Sequence, residues 1–389
     1  MDFASLATEY QEKFDAAPQR VFFSPGRINL IGEYTDFNGG HVFPAAISMG
    51  TYAAYVSRDD RQFRVYSANV PEAGMLTFSL DDLAFHKADN WANYLKGMLF
   101  ELAKQDLTID HGFDLFVHGN LPDASGLSSS ASMEMLMGEI LHAAYGMKLD
   151  EVEMVKVGQQ VENDYFGLNT GIMDQFAIGM GKKDQAMLLD TNTMAYEYAP
   201  LNLGNNVVVI MNTKKRRELT DSKYNERRAQ CEEALRRLQV KLDIKTLGDL
   251  NEDQFDQNAY LINDETLIKR ARHAVFENQR TLKAFKALQD NDLESFGHLV
   301  NASHISLNYD FAVTGRELDT LVETAWQQPG VLGARMTGAG FGGCAIAIVK
   351  KTNVKDFEAK VGQVYEETIG HKAEFYVAEI ADGPKELQK

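Results

Sequence analysis

The sequence has little of what builds a disulfide-stabilised or membrane-spanning protein. It holds only two cysteines in 389 residues, which excludes a disulfide framework and fits a reducing compartment. No apolar run approaches the roughly 18 residues that a membrane span needs. The N-terminus lacks the basic and apolar segments of a signal peptide. We therefore expect a cytoplasmic protein that does not insert into a membrane.

Positive charge is also scarce. Lys and Arg number 39 against 56 Asp and Glu, which gives a formal net charge of −17. A surface this acidic repels nucleic acid and anionic membranes, so we expect neither as a partner. An anionic nucleotide would need a local cationic site or a metal ion. The short basic run Lys214–Arg217 is expected to be a solvated loop.

What remains is the composition of an ordinary globular protein, in a chain long enough for two domains. Strand patterns alternate with helix patterns, which indicates an α/β or α+β fold. A polar segment near Pro200 interrupts this succession of strands and helices. We place the domain boundary there, which gives domains of residues 1–200 and 201–389. In the second domain, helices are predicted over residues 222–240, 265–288, 292–306 and 315–327.

The stretch Leu121–Met133 passes from a turn through small residues into an amphipathic helix, with Gly146 as its predicted stop. A helix start leaves backbone N–H groups unpaired and adds partial positive charge, and both suit a phosphate. The stretch lacks the Gly-Lys-Ser/Thr of a Walker A loop. A cation would therefore have to come from elsewhere. The alternative is an ordinary helix capped by a serine.

A second stretch, Ser24–Gly40, embeds polar residues in an apolar strand-and-turn segment. Arg27 follows a Pro-Gly pair. Glu33 and Asp36 lie three positions apart in a glycine-flanked loop, so that both carboxylates could accept hydrogen bonds from the hydroxyls of one sugar. The alternative is a hairpin loop whose Asp and Asn side chains cap turns.

Two more carboxylates and a glycine-rich run complete the set of candidate functional residues. Asp174 has apolar neighbours, and a carboxylate in such a setting must be paired or functional. Glu162 lies beside the apolar stripe of a helix near its end. The alternatives are an N-cap for Asp174 and a solvated side chain for Glu162. The run Thr337–Gly343 indicates tight turning or close approach of the backbone to another group.

These stretches follow a recognisable order. Pro25–Asp36, Gly126–Ala131 and Thr337–Gly343, with Gly171–Gln175 and Ser222–Arg227 between them, closely resemble the GHMP small-molecule kinases and, within them, the galactokinase family. The likeness covers essentially the whole chain. It implies a two-domain α+β fold, with an N-terminal mixed-sheet domain, a C-terminal layered domain and the active site in the cleft between them.

The resemblance implies ATP-dependent phosphorylation of the anomeric hydroxyl of α-D-galactose, with Mg²⁺ as the metal. Galactose and ATP would be the partners, and we favour a monomer. Arg27 matches the active-site arginine and Asp174 the catalytic base, while Ser130 and Glu162 match the metal ligands. The residues implied at the nucleotide are Ser67, Ala124, Ser125, Gly126, Leu127, Ser128, Ser129 and Ser130. Those implied at the sugar are Glu33, Tyr34, Thr35, Asp36 and Tyr224.

The chain departs from the family pattern in one motif. Tyr34 and Phe37 stand where the galactokinase signature usually has His and Tyr. Our hypothesis is that Tyr34 still contacts the sugar but alters or broadens tolerance around its ring. An N-acetylgalactosamine, arabinose or other sugar-1-kinase therefore stays open, as does a non-catalytic sensor of sugar and ATP. The intact Ser128–Ala131 run, with Arg27 and Asp174, favours an enzyme over the sensor.

Overall fold

The computed structural model describes residues 3–122, 125–215 and 220–387. Within these ranges the chain forms eleven α-helices and thirteen β-strands. The helices are α1 (Phe3–Phe14), α2 (Ala92–Ala103), α3 (Ser129–Tyr145), α4 (Glu151–Gln160), α5 (Met173–Gly179), α6 (Thr220–Leu238), α7 (Glu252–Asn258), α8 (Glu265–Gln289), α9 (Leu293–Ser306), α10 (Gly315–Trp326) and α11 (Val354–Ile369). The strands are β1 (Arg20–Asn29), β2 (His41–Val42), β3 (Pro44–Ser57), β4 (Gln62–Ser67), β5 (Leu76–Ser79), β6 (Phe113–Gly119), β7 (Gln185–Asp190), β8 (Tyr196–Pro200), β9 (Asn206–Asn212), β10 (Val331–Thr337), β11 (Cys344–Lys350), β12 (Glu374–Ala378) and β13 (Lys385–Leu387).

The strands of the described residues form three sheets. The first has the order β13-β1-β3-β6-β4-β5 and is mixed, because β4 and β6 run parallel and the other pairs antiparallel. The second, β10-β11-β9-β12, is antiparallel throughout, and the third is the small sheet β2-β7-β8. Helices α2, α3 and α5 pack in the apolar core of the first sheet, whereas α8 to α11 belong to the second half of the chain. This α+β architecture confirms the predicted fold class.

The strand that carries Arg27 is longer than the pattern predicts. The sequence indicates a strand only over Val21–Phe23, yet β1 continues through the following Ser-Pro-Gly to Asn29. It can do so because the pairing register with β3 shifts at Pro25 and Gly26, and such an irregularity tolerates a proline that a regular ladder would not. The extension places the Arg27 side chain among buried residues.

A buried apolar cluster joins the two larger sheets. It combines Ile28 and Phe43 from the first half of the chain with Ile210 and Ile346 of the second sheet. The last strand, β13, also returns to pair with β1. The second sheet begins with β9, shortly after the boundary we place at residue 200, and that boundary stays a prediction.

Several local predictions agree with the structure. Gly146 ends α3 in the left-handed region, with φ of 65°. The sequence predicts the start of a helix at Asp150, with Glu153 three positions on, and Asp150 caps α4 by accepting a hydrogen bond from the Val152 N–H. Lys214 and Lys215 form exposed salt bridges with acidic residues, while the Arg216 and Arg217 part of the basic run lies outside the described residues. No helix in the described ranges is both long and apolar enough to cross a bilayer.

Candidate active site

Two cavities adjoin between the two halves of the chain. The first, which we call the carboxylate cavity, has a volume of about 260 Å³. The second, the loop cavity, has a volume of about 460 Å³. Predicted residues lining the carboxylate cavity are Arg27, Glu33, Tyr34, Asp36, Ser130, Glu162, Asp174 and Tyr224. Predicted residues lining the loop cavity are Arg27, Ser67, Ser125, Gly126, Leu127, Ser128, Ser129, Ser130 and Asp174.

The cavities share Arg27, Ser130 and Asp174, so the predicted chemical residues lie at their junction. Two predicted residues stand apart. Thr35 is fully buried, with its hydroxyl 2.9 Å from the Gly32 carbonyl oxygen and 2.7 Å from that of His41. Its side chain therefore stabilises the loop between Gly32 and His41 and does not line the carboxylate cavity. Ala124 lies outside the described residues.

Arg27 and Asp174 form the central ion pair. Arg27 Nε and Nη2 donate to the two carboxylate oxygens of Asp174, at 2.8 and 3.0 Å, and Nη1 donates to the Gly126 carbonyl at 2.7 Å. Burial alone would lower the pKa of Arg27, but its pairing with Asp174 outweighs burial and raises that pKa. Asp174 lies in the first turn of α5 after the N-cap Ile172, so it is not the N-cap that the alternative interpretation allowed.

The start of α3 has an unusual geometry. Ser128 precedes the helix with φ of 64°, in the left-handed region, and its side chain does not cap the first turn. The Ser128 hydroxyl instead donates to Asp174 Oδ2 at 2.5 Å. The alternative of a serine-capped helix is therefore wrong. An uncapped helix N-terminus of this length presents backbone N–H groups that suit an anion.

Ser130 and Glu162 face one another beside this helix start. The Ser130 hydroxyl donates to Glu162 Oε1 at 3.0 Å. Glu162 is 6% exposed, which rules out a solvated side chain, and it lies in the π-helical turn Val161–Tyr165 that follows α4. Burial raises the pKa of Glu162, and the nearby charge of Asp174 adds to that rise. A buried carboxylate next to a second acid favours a bound cation.

The hard oxygen donors of Ser130 and Glu162 fit Mg²⁺, which commonly takes few protein ligands and completes its shell with phosphates and water. In the part of the chain that the structure describes, no cluster of three or more His, Cys, Asp or Glu side chains could hold a metal alone. Ser130 and Glu162 together would supply only part of a coordination shell. Such a shell suits a metal that arrives with the phosphates of a nucleotide.

Glu33 is held by groups from the glycine-rich run and the strand before it. Its Oε1 accepts a hydrogen bond from the Gly338 N–H at 2.7 Å and lies 3.4 Å from Arg335 Nη2. Burial raises the pKa of Glu33, and the positive charges of Arg335 and Arg27 oppose that rise. Sequence analysis missed Arg335, which is fully buried in β10. The feature of the sequence that could have indicated Arg335 is a single Arg within an otherwise apolar strand.

Asp36 lies against the backbone of Gly171. A Cβ atom at Gly171 would be only 1.7 Å from Asp36 Oδ2, so no larger residue fits there while Asp36 keeps this position. The Phe37 N–H donates to Asp36 Oδ1 at 3.0 Å. Burial raises the pKa of Asp36 to about 6, with a further contribution from the Asp174 charge. Asp36 therefore titrates close to neutral pH.

Tyr34 connects the sugar motif to the glycine-rich run. Its backbone has φ of 65°, and its hydroxyl donates to the Ala339 carbonyl at 2.5 Å. Its ring centroid lies 5.4 Å from that of Tyr224 and 4.6 Å from that of Phe311. Phe37 packs on Tyr224 with centroids 5.7 Å apart. The two residues that depart from the family pattern thus form one aromatic group beside the carboxylate cavity.

Comparison with known families agrees with this geometry. The chain matches the galactokinase galactose-binding signature over residues 8–56. It matches the GHMP kinases N terminal domain over residues 93–182 and the GHMP kinases C terminal over residues 284–367. The first match contains Arg27 and the sugar motif, and the second contains the start of α3, Glu162 and Asp174.

Individual relatives match over the full chain. The galactokinase of Levilactobacillus brevis is 92% identical over 387 residues, and that of Lactiplantibacillus plantarum is 67% identical, each with 100% of both chains covered. The crystal structure of Lactococcus lactis galactokinase complexed with galactose superimposes with a TM-score of 0.96 at 53% identity, covering 99% of each chain. Methanococcus jannaschii mevalonate kinase shares the fold alone, at 18% identity and a TM-score of 0.65 over 93% of this chain and 98% of its own. The chain therefore belongs to the galactokinase family of the GHMP kinases.

Proposed function

We propose that this chain transfers the γ-phosphoryl group of ATP to the anomeric hydroxyl of α-D-galactose at the junction of the two cavities. One observation carries the proposal. The Arg27–Asp174 ion pair lies where the carboxylate cavity meets the loop cavity. A sugar hydroxyl in the first cavity and a phosphate in the second would meet at this pair, which is the arrangement that phosphoryl transfer requires.

Galactose would occupy the carboxylate cavity. Glu33 and Asp36 accept hydrogen bonds from its hydroxyls, while Tyr224 and Tyr34 contact it through their rings or hydroxyls. Carboxylates and aromatic rings are both suited to a sugar, which has polar edges and apolar faces. The galactose bound in the L. lactis enzyme supports this choice of substrate.

ATP would occupy the loop cavity. The start of α3 offers uncapped backbone N–H groups to the phosphates, from Ser128 through Ser130, and Ser67 lies on the wall of the same cavity. We assign Ser128 a second role, because its hydroxyl donates to Asp174. Ser130 and Glu162 would hold Mg²⁺, which when bound neutralises phosphate charge in the transition state.

In the reaction, the anomeric oxygen forms a bond to the γ-phosphorus while the bond from that phosphorus to the β–γ bridging oxygen breaks and ADP leaves. Asp174 accepts the proton of the sugar hydroxyl. Arg27 and the Ser128 hydroxyl donate hydrogen bonds to the Asp174 carboxylate. We place proton transfer to Asp174 late, which a loose transition state permits. Arg27 also stabilises negative charge that develops on the transferring group.

We further propose a cytoplasmic monomer with domains of residues 1–200 and 201–389. Both cysteines, Cys231 and Cys344, are buried and neither forms a disulfide, as a reducing compartment allows. The predicted site residues assemble within one chain, which supports a monomer.

The decisive experiment is ADP release from ATP and Mg²⁺ with a panel of galactose, N-acetylgalactosamine, arabinose and glucose, with the product identified by ³¹P NMR. We expect galactose to give the highest kcat/KM and an anomeric phosphate as product. A higher kcat/KM for another sugar would shift the assignment to a different sugar-1-kinase. Absence of ADP release with every sugar, despite binding of galactose and ATP, would favour the sensor.

A further inference from the structure

Helix α8 presents a buried polar stripe to residues 32–41, a segment that we call the sugar loop. The stripe consists of His273, Glu277, Asn278 and Thr281, whose spacing places them on one face of the helix. His273, Glu277 and Thr281 have no solvent exposure, and Asn278 has 3%. Buried polar groups destabilise a fold unless they are paired. Three of these residues, His273, Glu277 and Asn278, form hydrogen bonds with backbone groups of the sugar loop.

The stripe fixes the backbone of Glu33 on both sides. Glu277 Oε1 accepts hydrogen bonds from the N–H groups of Gly32, at 3.0 Å, and Glu33, at 3.4 Å. His273 Nε2 lies 3.0 Å from the Glu33 carbonyl oxygen. Because a carbonyl oxygen can only accept, Nε2 carries the proton of this ring. The direction in which the Glu33 side chain leaves the backbone is thereby set by α8.

The same stripe contacts the far end of the sugar loop. Asn278 Oδ1 accepts a hydrogen bond from the His41 N–H at 2.8 Å. Thr281 lies beneath Gly32, where an added Cβ atom would be 2.9 Å from Thr281 Oγ1. Both ends of the loop are thus tied to one rigid helix, although the loop and α8 are more than two hundred residues apart in sequence.

Glu277 is itself held in one position. Ser303 donates to Oε1 at 2.5 Å, and Arg280 Nε donates to Oε2 at 2.8 Å. Burial acts to raise the pKa of Glu277, but the charge of Arg280 and other nearby donors lower it to about 2. The carboxylate therefore stays charged across the physiological range, and both its oxygens are used as acceptors.

The restraint on the Glu33 backbone also affects the next residue, Tyr34. Tyr34 has φ of 65°, a conformation that costs energy for a residue with a Cβ atom and persists only when the surroundings impose it. Hydrogen bonds from α8 to the preceding two residues contribute to that restraint. The Asn38 side-chain amide also contributes, since it donates to the Tyr34 carbonyl at 2.7 Å. If they were lost, the backbone at Tyr34 could relax and the side chains of both residues would turn within the carboxylate cavity.

We propose that Glu277 and His273 are positioning residues for sugar recognition, which hold Glu33 and Tyr34 in place without touching the sugar. Neither lines the carboxylate cavity. The inference rests on the proposed binding of galactose by Glu33. It predicts an effect on the galactose KM alone. The nucleotide subsite is formed by other elements, so the ATP KM should not change.

The test compares Glu277→Gln and His273→Phe with the wild-type enzyme. An amide has only one acceptor oxygen, so the side chain introduced by Glu277→Gln cannot serve both the Gly32 N–H and Arg280. Phe at position 273 keeps the ring against Phe311, whose centroid is 4.6 Å away, but removes the donor to Glu33. We expect the galactose KM to rise about tenfold in each variant, which is the size of effect that one lost buried hydrogen bond can have. The ATP KM is expected to stay within about twofold of wild type, because its subsite is unaltered.

The control is Asn301→Ala. Asn301 lies on α9 near Ser303 and accepts a hydrogen bond from the Ala334 N–H at 2.8 Å, so its removal weakens the same region without touching the sugar loop. We expect a lowered Tm with an unchanged galactose KM. The inference fails if Glu277→Gln and His273→Phe keep a wild-type galactose KM, or if the galactose and ATP KM values rise together in them. A wild-type enzyme that does not phosphorylate galactose would instead overturn the proposed function.

Discussion

The guanidinium of Arg27 and the carboxylate of Asp174 form two hydrogen bonds of 2.8 and 3.0 Å, although the residues are 147 positions apart. One side chain projects from the extended strand β1, the other from the first turn of α5. The pair links the two cavities, and most of the site is arranged around it.

The first prediction concerns this pair. Asp174→Asn preserves the shape of the side chain but removes the proton acceptor and the charge that balances Arg27. We expect kcat with galactose to fall about a hundredfold or more, as for loss of a general base. Steady-state kinetics gives kcat, and calorimetry with ATP in the absence of sugar should show nearly unchanged affinity. Turnover close to wild type would show that Asp174 has no such role.

The second prediction concerns the metal. Glu162→Gln removes a charged oxygen beside Ser130, so the Mg²⁺ concentration that gives half-maximal velocity should rise about tenfold or more, since charged oxygens are preferred ligands. A titration of velocity against Mg²⁺ at fixed ATP measures this shift.

Glu134→Gln is the matched control for that titration. Glu134 lies one helical turn beyond Ser130 and is fully buried. Burial, with repulsion from Glu162 and Asp174, raises the pKa of Glu134 well above its ordinary value. Glu134 is not among the residues that line either cavity. The Gln substitution should leave the Mg²⁺ dependence unchanged. A shift as large as that of Glu162→Gln would assign the metal effect to the whole acidic group instead of one ligand.

The third prediction concerns Tyr34. Tyr34→Phe removes the hydroxyl that donates to the Ala339 carbonyl and should lower the free energy of unfolding by about 1 kcal/mol. It also removes one hydrogen bond between the sugar motif and the glycine-rich run, while the bond from the Gly338 N–H to Glu33 remains. Tyr34→His introduces the residue usual in the family. We expect both variants to change the ratios of kcat/KM across the sugar panel. Unchanged ratios in both would mean that Tyr34 does not govern sugar tolerance.

The fourth prediction concerns pH. The pKa of Asp36 is about 6 because of burial first and Asp174 second, and only the ionised form accepts hydrogen bonds with both oxygens. The kcat/KM for galactose should therefore fall as pH decreases through about 6, and this inflection should disappear in Asp36→Asn, whose activity is low throughout. An inflection that persists in the variant would have to come from another group.

The same raised pKa has an effect on stability with a defined sign. The folded state holds the Asp36 proton more tightly than the unfolded state does, so its contribution to stability is complete below about pH 4, is lost as pH rises through about 6, and is absent above. Asp36→Asn should raise the Tm at pH 8 by about 2 °C and have little effect at pH 4. Thermal unfolding at both pH values distinguishes this pH-dependent change in stability from a general change in packing, which would alter the Tm at pH 4 as well.

Patterns in the sequence were sufficient for the elements with clear termini and for residues within distinctive motifs. Gly146 and Asp150 delimit their helices by side-chain or backbone properties that act locally. Arg27 and Asp174 stand in motifs whose order along the chain is informative. The extension of β1 past Pro25 was not predicted, because it depends on a register shift with a partner strand, which is a property of the sheet and not of the segment.

The buried residues that hold the site residues in position could not be predicted in the same way. His273 and Glu277 lie in a helix that was predicted correctly, but a polar residue in a helix is usually solvated, and no local pattern distinguishes one that is buried. Arg335 gave a weak signal as a lone charge in an apolar strand. Their roles follow from contacts across more than two hundred residues of sequence, as with Glu277 and Gly32, which only the tertiary fold creates.

The pairing of β13 with β1 has a consequence for biosynthesis. Val21–Phe23 pair with Lys385–Leu387, so this edge of the first sheet cannot close until residue 387 has left the ribosome. One edge of Val21–Phe23 therefore stays unpaired while residues 24–384 are translated, whereas Arg27 pairs with Ala46 of β3 and does not depend on β13. Closure of the first sheet is thereby coupled to translation of β13.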